Sequence, residues 1–193
     1  VASTRFNTPT THQFSEDTSK DKLLMELIAY FMQRGHFDPK DISDDFSEDL
    51  YDTFLEMLDG QKRYFLKKDI AQFDRYKYAL DDEFRALQTN FFDLVYARYL
   101  ERRNETKSFY LEILEKPFDF NKKEEINVDY ENQQHPGTLR QKTEKWRKQL
   151  KLSTLNILHN KLEMEEKLAA KHESYVPKTF EVLEEVARGI TRE

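Results

Sequence analysis

Residues 59–73 read Asp-Gly-Gln-Lys-Arg-Tyr-Phe-Leu-Lys-Lys-Asp-Ile-Ala-Gln-Phe and interrupt an otherwise helical sequence. An apolar run at helical spacing ends at Leu58, and Gly60 follows it as a helix breaker. A new periodic run begins at Asp69. Two aromatic residues and a leucine, at positions 64–66, lie between the two runs beside several bases. This pattern predicts a buried hinge between helices rather than an exposed binding patch.

The composition favours helices over sheets. Only four of the 193 residues are glycine, and tight hairpins need glycine in their turns. Fifteen phenylalanines and ten tyrosines are enough to form a core, which a disordered acidic chain would lack. We therefore predict an all-α fold, an irregular bundle of about six helices. Long antiparallel helices and an irregular crossover near residues 117–137 are its expected features.

Apolar spacing and capping residues give the expected order of the helices. We predict Ser47 as the cap of the second helix, and Asp81 and Asp82 as cap residues of the fourth. The fourth has no breaker before Pro117 and is predicted as one continuous helix. The predicted starts and ends are Leu24 to Gly35, Ser47 to Gly60, Asp69 to about Tyr78, Asp81 to Pro117, Thr138 to beyond Leu162, and Pro177 to the last residues.

Three segments depart from this helical pattern. Residues 1–18 are rich in Thr, Ser and Asn and predict a flexible lead-in, so that residues 19–193 form a single helical domain. Loose alternation within the crossover predicts a short strand near Ile126 to Asp129. Beyond Leu162 the fifth helix is mostly Glu, Lys and Ala, which favours an exposed end.

The sequence gives little indication of a catalytic, cofactor or metal site. The chain has no cysteine, which excludes thiol catalysis and thiolate ligands. No glycine-rich phosphate loop or serine-nucleophile motif is present. His159, Glu163 and Glu166 share one helix face, but a bundle metalloenzyme would need Glu-x-x-His motifs, and none occurs. We predict no catalytic, cofactor or metal site.

Nucleic acid and membrane are also disfavoured as partners. The net charge is −6, and the basic run from Lys142 to Lys151 surrounds Trp146, which belongs to an apolar stripe. No apolar run is long enough to span a membrane. The sequence lacks the basic and apolar regions of a signal peptide and begins with Val1, so we expect a trimmed or matured chain. The apolar stripe of the last helix predicts that the natural chain continues.

Residues 46–73 resemble the N-terminal helical domain of tail-specific, or carboxy-terminal processing, proteases of the bacterial periplasm. Gly60 stands where that family usually has proline. Weaker similarity surrounds Trp146 and the segment from Phe180 to Arg188. The resemblance implies structural roles for the matching residues, which are Leu58, Asp59, Arg63, Tyr64, Phe65, Leu66, Asp69, Ile70, Phe73 and Trp146.

The resemblance also implies a function. Full-length members of the family are serine endopeptidases with a Ser/Lys dyad and a PDZ domain that engages apolar C-terminal tails. No residue here matches the dyad motif. The chain would then be the non-catalytic N-terminal domain of a periplasmic protease, which supports substrate enclosure and docks an adaptor lipoprotein. Its partners would be the PDZ and protease domains of the same parent chain. The alternative is a free-standing helical adaptor or scaffold protein.

Overall fold

The computed structural model describes residues 27–28 and 41–193 of the chain. This part is all-α and contains no strand, which confirms the predicted fold class. Leu27 and Ile28 are helical, but the rest of the predicted first helix and the lead-in 1–18 lie outside the described residues. The helices are α1 (Asp44–Asp59), α2 (Lys67–Phe73), α3 (Leu80–Arg85), α4 (Asn90–Glu115), α5 (Leu139–Lys171) and α6 (Phe180–Arg192), with a 3₁₀ turn at Asp74–Tyr76.

The cap predicted at Ser47 is wrong, because α1 begins at Asp44 after the extended residue Ser43. Ser47 is instead fully buried inside the helix. Its hydroxyl donates to Asp81 Oδ1 at 2.9 Å and accepts the backbone N–H of Asp81 at 2.8 Å. Asp81 and Asp82 lie in the first turn of α3, not before it. These paired polar groups therefore join α1 to α3.

The predicted continuous fourth helix is also wrong, because the chain breaks between α3 and α4. Leu87 takes the left-handed conformation, with φ of 54°. The N–H of Gln88 donates to the carbonyl of Glu83, and that of Leu87 to the carbonyl of Phe84. These two bonds form a Schellman motif, which usually has glycine where Leu87 stands. The Glu83 carboxylate then accepts the N–H of Phe91 and helps to start α4.

The crossover between α4 and α5 is irregular, as predicted, but the short strand near Ile126 to Asp129 is not formed. Local bonds replace strand pairing there. The Asn127 side chain accepts the N–H of Asp129, and the Asp129 carboxylate accepts both the N–H and the side-chain amide of Asn132. Asn and Asp side chains commonly form such turns in competition with regular structure.

Basic residues of α5 hold the crossover in place. Lys148 donates to the carbonyl of Glu125 at 3.0 Å, and Lys151 donates to the carbonyl of Asp119 at 2.6 Å. The Glu124 carboxylate pairs with both Arg147 and Lys151. Three bases that follow Trp146, namely Arg147, Lys148 and Lys151, therefore face the crossover and are bonded to it.

Two apolar clusters stabilise the bundle. The first contains the fully buried rings Phe65, Phe73 and Phe91 together with Tyr51, Leu80 and Val95. The second joins α5 to α6 through Leu158, Leu183 and Ala187. These two helices run antiparallel, because Thr154 meets Thr191 whereas Glu165 accepts the N–H of Lys178.

The start of α5 agrees with the sequence prediction, whereas α6 begins at Phe180, after the N-cap Thr179, and not at Pro177. Thr138 caps α5 by accepting the N–H of Gln141 at 3.2 Å. Past Leu162, the side chain of Met164 is exposed, as expected, but that of Glu165 is buried and accepts the Tyr175 hydroxyl at 2.6 Å. Within the described residues, no helix is both long and apolar enough to cross a membrane.

Replacing Phe65 by alanine tests the first cluster. Phe65 is fully buried, and its ring packs edge-on against Phe73 with centroids 5.3 Å apart. We expect Phe65→Ala to lower the free energy of unfolding by roughly 3–5 kcal/mol, measured by urea denaturation. Met57→Ala, at a position 79% exposed, is the control and should change it by less than about 0.5 kcal/mol. Equal effects of the two variants would contradict this core.

Candidate functional site

The turn between α1 and α2 is built around the carboxylate of Asp59, the last residue of α1. Its two oxygens accept the backbone N–H groups of Arg63 at 2.7 Å, Tyr64 at 3.0 Å and Phe65 at 2.8 Å. Burial raises the pKa of Asp59, although these three hydrogen bonds act in the opposite direction. Lys62, with φ of 51°, reverses the chain without a glycine at that position.

A second buried carboxylate fixes the far end of the turn. Asp69 accepts the N–H of Leu66 at 2.8 Å in the manner of a capping box. It also pairs with Arg102 of α4 through bonds of 2.7 and 2.9 Å. Although burial raises the pKa of Asp69, the hydrogen bonds and charge of Arg102 prevail, and the pKa lies below its ordinary value.

The network continues from Arg102 to α5. Glu105 pairs with Arg102 at 3.1 Å and accepts a hydrogen bond from Lys142 at 2.9 Å. Lys142 is fully buried and also donates to the backbone carbonyl of Arg102. Burial lowers the pKa of Lys142, whereas Glu105 acts to raise it. One chain of charges thus connects α2, α4 and α5.

The aromatic residues of the turn meet α4 and α5. The Tyr64 ring packs against Tyr99 at 5.2 Å and against Trp146 at 5.5 Å between centroids. The Trp146 indole donates to the carbonyl of Arg63 at 2.9 Å. The Arg63 guanidinium lies 4.7 Å from the centre of the Trp146 ring. Trp146 is half-buried and serves to dock the turn on α5.

A groove of about 1090 Å³ runs beside this turn. Its walls are α1, the turn and part of the crossover, and they combine apolar with charged side chains. His135 lines it, with Nε2 3.7 Å from Asp59 Oδ2. Burial, together with the charges of Lys62 and Lys145, lowers the pKa of His135 to about 4, so this imidazole is neutral at pH 7.

The structure brings all ten sequence-predicted residues to the hinge and its supports. Phe65, Leu66, Phe73 and the two aspartates are buried, and the others are partly buried. Sequence reasoning missed Arg102, Glu105 and His135, and it assigned Lys142 to a surface run of bases. A spacing of three residues between Arg102 and Glu105 is too common on helices to have identified this network.

The helix face considered as a metal site carries an ion pair between Lys167 and Glu163, with His159 beside it. Glu163 lies 3.5 Å from His159 and 3.3 Å from Lys167, and all three side chains are well exposed. Among residues 27–28 and 41–193, no group of three or more His, Asp or Glu is arranged to hold a metal ion.

A known protein family matches the part of the chain that contains this hinge. The family model described as "Tail specific protease N-terminal domain" matches residues 28–193. The chain belongs to this family. The tail-specific protease of Haemophilus influenzae is 26% identical over 141 residues, which are 72% of this chain and 20% of that protein. This tail-specific protease N-terminal domain therefore spans about a fifth of the length of that relative.

Removing the Asp59 carboxylate tests its role in this family member. Asp59→Ala leaves three backbone N–H groups without acceptors, and each such loss costs about 1–3 kcal/mol when the group is buried. We expect the free energy of unfolding to fall by roughly 3 kcal/mol in urea denaturation. Asp82→Ala, which removes an exposed carboxylate paired with Arg85, is the matched control. A loss no larger than that of the control would refute this role.

The neutral His135 predicts a dependence of stability on pH. Its pKa is about 4 in the folded state against about 6.5 when unfolded, so the unfolded chain binds more protons between these values. The contribution of the neutral His135 to the free energy of unfolding is therefore complete well above pH 6.5, and it declines as the pH falls toward 4. We expect a loss of about 1 kcal/mol from pH 7 to 5.5, which His135→Gln should abolish. Identical pH profiles of the two proteins would contradict it.

Proposed function

We propose that this chain is the non-catalytic N-terminal helical domain of a periplasmic, carboxy-terminal processing serine endopeptidase. Residues 19–193 would form one domain that helps to enclose protein substrates and docks an adaptor lipoprotein. The observation that carries the proposal is the family match over residues 28–193, which includes the complete hinge. The relative from Haemophilus influenzae is itself named a tail-specific protease.

The contacts of Ser47 and Ser108 support a non-catalytic role for these two serines. A Ser/Lys dyad needs a serine hydroxyl hydrogen-bonded to a lysine amine. In residues 41–193, the Ser47 hydroxyl is buried and bonded to Asp81, whereas that of Ser108 donates to the carbonyl of Glu105. Buried lysines have other partners, since Lys142 is bonded to Glu105. Catalysis would then take place in the protease domain of the parent chain, and its PDZ domain would engage the substrate tail.

The length of the relative supports partners within the same polypeptide. The matched segment is 20% of that protein, which leaves most of its sequence for other domains. By analogy, the substrates are proteins with apolar C-terminal tails, and the compartment is the periplasm.

Comparing two substrates of the full-length protein tests the proposal. The complete reading frame that encodes this chain is expressed with and without residues 28–193. We expect the deletion to slow processing of a folded, tailed protein strongly and that of a short tailed peptide weakly, because a short peptide needs no enclosure. Rates are measured by gel and by fluorescence release.

Several outcomes would contradict the proposal. Equal slowing for both substrates would show a general folding defect rather than enclosure. Hydrolysis of the tailed peptide by the isolated 193-residue chain would show that this domain itself has peptidase activity. A reading frame without a protease domain would favour the free-standing adaptor or scaffold instead.

A further inference from the structure

The last helix, α6, carries apolar side chains on a face that points away from the core. Val182, Val186 and Ile190 follow one another at intervals of four residues, so they form one row along the helix. We name these three residues the outer row of α6. Each of them is between 41% and 45% exposed. Charged or polar residues usually occupy this face of a surface helix, so the outer row needs an explanation.

The other faces of α6 pack within the domain. Leu183 and Ala187 are buried against α5. On the side toward α4, Arg188 donates to the carbonyl of Leu114 at 2.9 Å and to the carboxylate of Glu184 at the same distance. These contacts hold the helix in place without the outer row. The outer row is therefore a second apolar surface of α6, and it stays exposed in the described part of the chain.

Exposed glutamates border the outer row. Glu181 and Glu185 directly precede Val182 and Val186, so they form a parallel row on the adjoining face of the helix. Apolar side chains that are exposed side by side, unlike single scattered ones, mark interaction sites. An apolar centre with a polar rim is the usual composition of a protein interface. The outer row and its glutamates therefore indicate a surface that docks a partner.

The small size of the outer row and the length of the relative indicate the kind of partner. A stable complex of separate molecules buries about 800 Å² on each partner, which three partly exposed side chains cannot supply. A domain tethered in the same polypeptide needs less contact, because its effective concentration is on the order of millimolar. The matched segment is only 20% of the Haemophilus influenzae relative, so most of that protein is further sequence. An adjoining part of the parent polypeptide is therefore favoured over a second copy of this chain.

We propose that the outer row of α6 docks on an apolar patch in the part of the parent polypeptide that follows residue 193 and contains the protease domain. This inference rests on the proposed function and deepens it, because it names the surface that fixes the helical domain to the rest of the protein. Docking buries Val182, Val186 and Ile190, whereas Glu181 and Glu185 stay in water at the rim.

Thiol labelling tests the docking surface by comparing the 193-residue chain with the complete protein. The 193-residue chain has no cysteine, so Val186→Cys introduces a single thiol, and cysteine is itself a small apolar residue. Both proteins are treated with a maleimide at micromolar concentration, and mass spectrometry follows labelling of the peptide that contains this position. Met57→Cys, at a position 79% exposed on α1, is the matched control. Circular dichroism verifies folding, and cleavage of a tailed peptide is measured on the same complete protein.

We expect labelling of Val186→Cys to be about tenfold slower in the complete protein than in the 193-residue chain. A docked state favoured by about ten to one leaves the thiol accessible for about a tenth of the time. The Met57→Cys control should be labelled at the same rate in both proteins. Ile190→Cys should be protected in the same way, and adding Val182→Glu should remove that protection, because an unpaired carboxylate is costly to bury.

Four outcomes would overturn the proposal. They are equal labelling of Val186→Cys in the two proteins, equal protection of Met57→Cys, protection that survives Val182→Glu, and dimerisation of the 193-residue chain through the outer row in analytical ultracentrifugation. A complete protein that cleaves the tailed peptide but shows no protection refutes the docking surface alone. A reading frame without a protease domain refutes the proposed function and this inference together.

Discussion

The acceptance of three consecutive backbone N–H groups by Asp59 determines the rest of the hinge. These bonds fix the course of residues 63–65, and with it the direction of each side chain. Phe65 enters the core, Tyr64 lies between two helices, and Arg63 stacks on Trp146. A carboxylate is suited to this task because it is acceptor-only and offers several lone pairs. The chain therefore changes direction sharply without exposing its aromatic residues.

The buried charges around the hinge fix the relative positions of α2, α4 and α5 more than they add to the free energy of unfolding. Moving ions out of water is costly, and mutual attraction repays that cost only when geometry and hydrogen bonding are good. Here Arg102 and Asp69 share two short bonds, and Lys142 has two acceptors. The network joins Asp69 of α2, Arg102 of α4 and Lys142 of α5 in one arrangement, next to the aromatic residues of the turn.

The sequence was informative where a local pattern determines structure. Apolar spacing predicted most of the helices, Thr138 was recognised as the start of α5, and the hinge residues were found together. The sequence was uninformative where contacts between residues far apart in the chain determine the structure. No glycine or proline near Leu87 marks the break, because the Schellman bonds there do not require glycine when packing supports the left-handed residue, and the N-cap Thr89 was overlooked. Ser47 looked like a cap because its partner, Asp81, is remote in sequence. The bases of α5 gave no sign that they hold the crossover.

The way the crossover is held has a consequence for the order of folding. Its anchoring bonds come from side chains of α5, such as Lys148 and Lys151, to carbonyls more than twenty residues earlier. Such contacts can form only after α5 exists and has met α4, and loop closure must come first. Regular hydrogen bonding contributes little within the segment. Within residues 41–193 we therefore expect the crossover to dock after the helices and to open before them, so amide hydrogens there exchange with solvent well before those of the helices.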